Sequence, residues 1–106
     1  MTFNTSAALL DAIVLAIAAK EGTYGYKITQ DVRSVIEISE STLYPVLRRL
    51  QKDYCLEGYD MEYAGRNRRY YRITNKGRLQ LDLYREEWKR YKLSIDQLFA
   101  GGAEHE

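Results

Sequence analysis

Between Ser39 and Lys52 the chain reads SESTLYPVLRRLQK, and the spacing sorts its side chains by chemistry. Placed on a helix, Leu43, Val46, Leu47 and Leu50 form one apolar stripe. Ser41, Pro45, Arg48 and Lys52 occupy the opposite face, flanked by Tyr44 and Arg49. One face packs; the other offers hydroxyls, a phenol and cations. Ser41 and Thr42 stand at the helix start, where short hydroxyls suit the base edges of a duplex, whereas Arg48 and Arg49 suit phosphates. Arg49 has an alternative, pairing with an acidic neighbour. A second cluster, Arg66, Arg68 and Arg69, follows, and Tyr26 offers a hydroxyl that either touches a phosphate backbone or packs in the core. The plainer reading of the helix is a capping turn with a solvated face. For the three arginines it is a charged edge that keeps a hairpin from aggregating.

Charge along the chain favours a polyanion as partner. Residues 1–40 hold three basic and five acidic side chains, net −2, and residues 79–106 hold four and six, again −2. Residues 41–78 hold nine basic and four acidic, net +5. A basic middle between acidic ends suits a module that meets nucleic acid with one face. The overall charge of +1 excludes a uniformly basic binder. One cysteine, Cys55, cannot make an internal disulfide or a thiolate cluster and reads as a small buried hydrophobe. The one histidine, His105, stands next to the last residue, so no catalytic or metal-binding constellation is expected, nor any cofactor. The longest apolar run, Ala7 to Ala19, is short of the roughly 20 residues that span a bilayer. No Lys or Arg precedes Lys20 to form the basic start of a secretion signal. A cytoplasmic, non-enzymatic protein with no membrane partner is the expectation.

The elements that must carry these residues follow from period. Leu10, Ile13, Val14 and Ile17 keep helical spacing within a segment apolar on every side, which predicts a buried first helix stopped by Gly22. A second, shorter helix is predicted from about Gly25 to Arg33, and a third from Ser39, a good N-cap, to Lys52, with Pro45 inside it. The period then changes to two. Cys55 to Tyr63 and Arg68 to Ile73 alternate like strands around a turn at Ala64-Gly65-Arg66-Asn67, forming a hairpin with Tyr70 and Tyr71 on opposite faces.

The last helix runs from a cap at Thr74 to about Phe99, before Gly101-Gly102. Leu81, Tyr84, Trp88, Tyr91, Ile95 and Leu98 are spaced 3, 4, 3, 4, 3, a heptad seam. Such a seam in so small a domain predicts a partner outside the chain, most simply a second copy. Trp88 reads first as dimer core.

Three short helices, a two-stranded wing and a long last helix are the order of a winged helix-turn-helix with a dimerisation helix. Here the chain resembles the PadR family of transcriptional regulators. The resemblance lies in Gly25-Tyr26, in Ser41-Thr42-Leu43-Tyr44-Pro45 with Leu47-Arg48-Arg49-Leu50, and in Gly65 followed by Arg68-Arg69-Tyr70-Tyr71-Arg72-Ile73-Thr74 and Gly77. It covers roughly residues 9–99 and is similar to the family's small subgroup. One departure is Tyr54, where the family usually has a glycine, which implies that the third helix closes differently.

The resemblance implies a homodimeric repressor that binds a pseudo-palindromic duplex operator. It also implies, for some small members, a planar aromatic effector held between facing tryptophans, here Trp88. The expected fold class is mainly α with a small β-hairpin, a winged helix-turn-helix over residues 1–74, a dimerisation helix over 75–99 and a flexible tail over 100–106. The rival from another class is a helical protein-interaction module whose basic wing docks an acidic partner.

Overall fold

Ser6, Ser39 and Thr74 each start a helix. Their hydroxyl oxygens accept the backbone N–H of Leu9 at 3.1 Å, Thr42 at 3.3 Å and Gly77 at 3.0 Å, each cap being worth about 1 kcal/mol. In the computed structural model, which describes residues 5–20 and 23–101, these caps open α1 (Ala7–Ala18), α3 (Glu40–Lys52) and α4 (Asn75–Phe99). Between them lie β1 (Thr23–Tyr24), α2 (Gly25–Arg33), β2 (Leu56–Tyr63) and β3 (Arg66–Ile73). The expected stop at Gly22 and all of the expected tail beyond residue 101 lie outside the described residues; α1 itself ends at Ala18 with Ala19 as its cap.

The wing has three strands rather than two. β3 is central, with β2 antiparallel on one side and β1 antiparallel on the other, pairing Thr23 with Tyr71 and Tyr24 with Tyr70. The hairpin turn is also tighter than the residue types suggest. Tyr63 pairs with Arg66, so Ala64 and Gly65 alone make the turn, at φ 54° and 78°. Two successive positive φ values match the twist of the flanking strands. Arg66 and Asn67 therefore belong to the strand.

Leu15, Ile28, Leu43, Leu47 and Leu56 are fully buried where α1, α2, α3 and the sheet meet. Tyr71 faces this core. Tyr70 lies on the other side, stacked on Tyr59 at 5.5 Å and edge-on to Tyr24 at 5.6 Å. Cys55 is buried as expected, and burial pushes its thiol above the ordinary range.

The end of α3 corrects the expectation drawn from Tyr54. The Tyr54 N–H donates to the Gln51 carbonyl at 3.0 Å and the Cys55 N–H to the Leu50 carbonyl at 2.9 Å. This is the closure a glycine would make. Tyr54 adopts it at φ 64° and accepts the strain. From there the chain reaches α4 through a close approach: a Cβ on Gly77 would stand 2.2 Å from the Cys55 carbonyl oxygen.

Candidate nucleic-acid interface

α3 turns its apolar stripe inward, burying Leu43, Val46, Leu47 and Leu50. Ser41, Thr42, Pro45, Arg48 and Arg49 are exposed, and Tyr44 is half-buried. Pro45 lacks an N–H, so the helix does without one internal bond here, on its solvent side. At the helix start the hydroxyls are coupled, Ser39 lying 3.1 Å from Ser41 and 2.9 Å from Thr42.

Between α3, the start of α2 and the wing runs a groove of about 630 Å³. Tyr24, Tyr26 and Tyr44 contribute phenols to it, and Arg66, Asn67, Arg68 and Arg69 contribute strand side chains; Gly25 and Tyr71 complete the lining. Among the described residues no carboxylate lines it. Tyr26 is 54% exposed, which excludes the core role left open for it. Tyr24, Asn67 and Tyr71 were not anticipated as part of this surface. Tyr24 had a visible signal, its place just before Gly25-Tyr26; the other two depended on the strand register.

The arginines divide by their partners. Arg49 makes a two-pronged ion pair with Asp11 of α1, at 2.8 and 2.6 Å. Hydrogen bonding to Asp11, set against a smaller burial effect, raises the Arg49 guanidinium above its ordinary value. Arg49 thus takes the acidic partner that the sequence left open for it, while its side chain stays 44% exposed at the surface. Arg69 lies across Gly58, where a Cβ would meet its guanidinium at 2.7 Å, and pairs with Asp60 at 3.3 Å. Arg48, Arg66 and Arg68 have no carboxylate partner among the described residues. Of the arginines on α3 and the wing, these three carry charge that no carboxylate among the described residues offsets.

The seam on α4 also divides. Leu81 is 3% exposed and belongs to the chain's own core, with Tyr84 half-buried against it. These two therefore have a partner within the chain. Beyond them Trp88, Tyr91 and Leu98 are exposed, and Ile95 is half-buried. Trp88 tilts against Tyr91 at 6.3 Å.

Residues 14–83 match the model of the PadR-like family of transcriptional regulators. The chain belongs to that family. PadR-like proteins are DNA-binding transcriptional regulators, not enzymes. Over its full length the chain superposes on a Streptococcus mutans protein with TM-score 0.90 and 40% identity, covering all of both chains. A PadR-family regulator of Clostridium difficile is 30% identical with TM-score 0.79, over 85% of this chain and 97% of that one. A transcriptional regulator of Mycobacterium tuberculosis is 39% identical over 69 residues, which is 64% of each chain. Among the described residues no helix is long and apolar enough to cross a membrane.

Proposed function

We propose that this PadR-like chain is a homodimeric repressor that reads a pseudo-palindromic operator with α3 and grips the flanking backbone with its wing. The observation that carries this reading is the groove between α3 and the wing, which presents phenols, guanidinium groups and an amide but, among the described residues, no carboxylate. Ser41, Thr42 and Tyr44 are the reading residues, and Arg48, Arg66 and Arg68 the phosphate ligands. Two copies of α3 in a two-fold dimer call for half-sites about one helical turn apart, or a multiple of it.

The dimer is supported by surface that one chain leaves bare. A compact monomer of 12.4 kDa exposes about 6,100 Å², whereas this one exposes 7601 Å². Its radius of gyration is 16.4 Å, against about 13 Å for a globule of this length. Leu79, Leu83, Trp88, Tyr91, Leu93, Leu98 and Phe99 stand exposed along α4.

The test is a titration of operator and unrelated duplex across salt concentrations. Thr42→Ala and Tyr44→Ala lose affinity for the operator alone, by about 1–3 kcal/mol where a base-edge contact goes. Arg48→Ala and Arg66→Ala weaken both duplexes and lower the salt slope by about 1 each. Equal losses on both duplexes for all four variants overturn the assignment of α3 as reader.

Effector release through Trp88 is a second reading, favoured by the exposed, mutually tilted pair of Trp88 and Tyr91. Flat aromatic cations then quench the single tryptophan saturably and shift operator affinity, and Trp88→Ala keeps the dimer but loses both effects. A dimer destroyed by Trp88→Ala assigns Trp88 to packing instead.

A further inference from the structure

Arg68 differs from every other cation of the wing in what surrounds it. Its guanidinium carbon lies 4.6 Å from the centre of the Tyr24 ring and 5.1 Å from that of Tyr63. On the same face of β3, Arg72 also meets a ring, that of Tyr59 at 4.4 Å, but it is neutralised by Glu57 at 3.1 Å. Arg69, on the opposite face, is held by Asp60. Arg66 is exposed and meets neither ring nor carboxylate among the described residues. Arg68 alone is half-buried, ordered by two aromatic rings, and spends none of its charge on a carboxylate among the described residues.

Ring faces attract a guanidinium through its plane and leave its N–H donors, which lie in that plane, unspent. A carboxylate partner would orient the side chain equally well but would occupy those donors and cancel the charge. The two rings come from different parts of the chain. Tyr63 closes the hairpin turn, and Tyr24 is both the end of β1 and the residue that caps α2. The cation therefore sits where the wing is tied to the start of α2, beside the groove.

We infer that Tyr24 and Tyr63 are positioning residues for DNA binding, forming an aromatic clamp that holds Arg68 charged, ordered and free to take a backbone phosphate. The inference rests on the reading of the groove as the duplex-binding surface. It adds two residues that act on the duplex through another side chain. The clamp raises affinity by removing the ordering cost of Arg68 before DNA arrives.

The test is a double-mutant cycle on the full chain with a duplex of fixed sequence. Tyr63 is 56% exposed, which makes Tyr63→Leu a safe variant for folding. Tyr63→Leu weakens duplex binding about two- to fivefold, the range of an exposed cation–π contact, with the salt slope unchanged because the charge remains. Tyr63→Phe, which keeps the ring, binds like the parent. Arg68→Ala weakens binding further and lowers the salt slope by about 1. The Tyr63→Leu/Arg68→Ala double variant binds no worse than Arg68→Ala alone. Tyr24→Leu repeats the cycle from the other side, with thermal unfolding as its check on the fold. If the two losses multiply in the double variant, or if Tyr63→Phe loses as much as Tyr63→Leu, the clamp is refuted. If Arg68→Ala binds normally while Arg48→Ala or Arg66→Ala does not, the clamp is refuted and the groove reading stands. If no arginine variant weakens the duplex, both fall.

Discussion

The two halves of α4 carry one heptad spacing and have different partners. In the first half Gly77 and Leu81 are buried, and Tyr84 rests half-covered on the same core as α1 and α3. In the second half Trp88, Tyr91, Leu98 and Phe99 stand 45–78% exposed. Periodicity specifies which face of a helix is apolar; it does not say what covers that face. The cover is decided by where the helix enters the fold. Here it enters tightly, because the Thr74 hydroxyl donates to the Tyr54 carbonyl at 2.6 Å and Gly77 lies against the Cys55 backbone. After three turns α4 runs out past the domain.

Substitutions that place the same charge in both halves give the sharpest contrast. Leu81→Asp buries a carboxylate where a leucine packs, costs more than about 4 kcal/mol and leaves no folded protein by circular dichroism. Leu98→Asp keeps the folded signal and lowers the mass seen by light scattering to that of one chain. A folded Leu81→Asp protein would erase the distinction between the halves. The next effect is Gly77→Ala, whose methyl meets a carbonyl oxygen rather than a flexible side chain; about 2–4 kcal/mol is lost, measured by denaturant unfolding.

A gain follows from Tyr54→Gly. Relieving the left-handed backbone at φ 64° stabilises the inner half by about 1 kcal/mol, read as a higher Tm with unchanged mass. The smallest effect is on pH dependence. Burial raises the Tyr84 phenol above its ordinary value, so the folded chain favours the neutral form. The stability this lends is whole below the unfolded phenol's pKa of about 10 and is lost as pH rises through the higher folded value. Tyr84→Phe therefore flattens the alkaline fall in Tm. Cys55, whose thiol burial also raises, is common to both proteins and cancels in the comparison.

Local signals carried most of the fold. The serine cap and the four-residue apolar stripe place α3 correctly in spite of Pro45, because a capped, packed face outweighs one missing hydrogen bond. β1 stayed hidden because two residues cannot display alternation. Residue types predict a longer turn because arginine and asparagine are ordinary turn-edge residues, and only the pairing of Tyr63 with Arg66 decides the register. Asp11 gave no sign of its partner: Arg49 is 38 residues away, and an acid in an apolar run names no recipient. For the same reason the sequence offers Arg49 an acidic neighbour as an alternative without saying which residue it is. The heptad did not reveal that Leu81 and Tyr84 belong to the inner packing, since both halves of α4 repeat alike.

The Asp11–Arg49 pair has a mechanical consequence. Asp11 is 7% exposed while the Arg49 side chain is 44% exposed, so sliding α3 along α1 would part a two-pronged ion pair at the domain surface and leave a buried carboxylate without its partner. α1 and α3 are thereby bolted together, and Tyr84 of α4 lies close enough for both charges to act on its phenol. The winged-helix domain then moves as one stiff piece. In an assembly joined beyond Tyr84, the span between two such domains is set by how the outer turns of α4 cross, as the jaws of a caliper are set by its hinge.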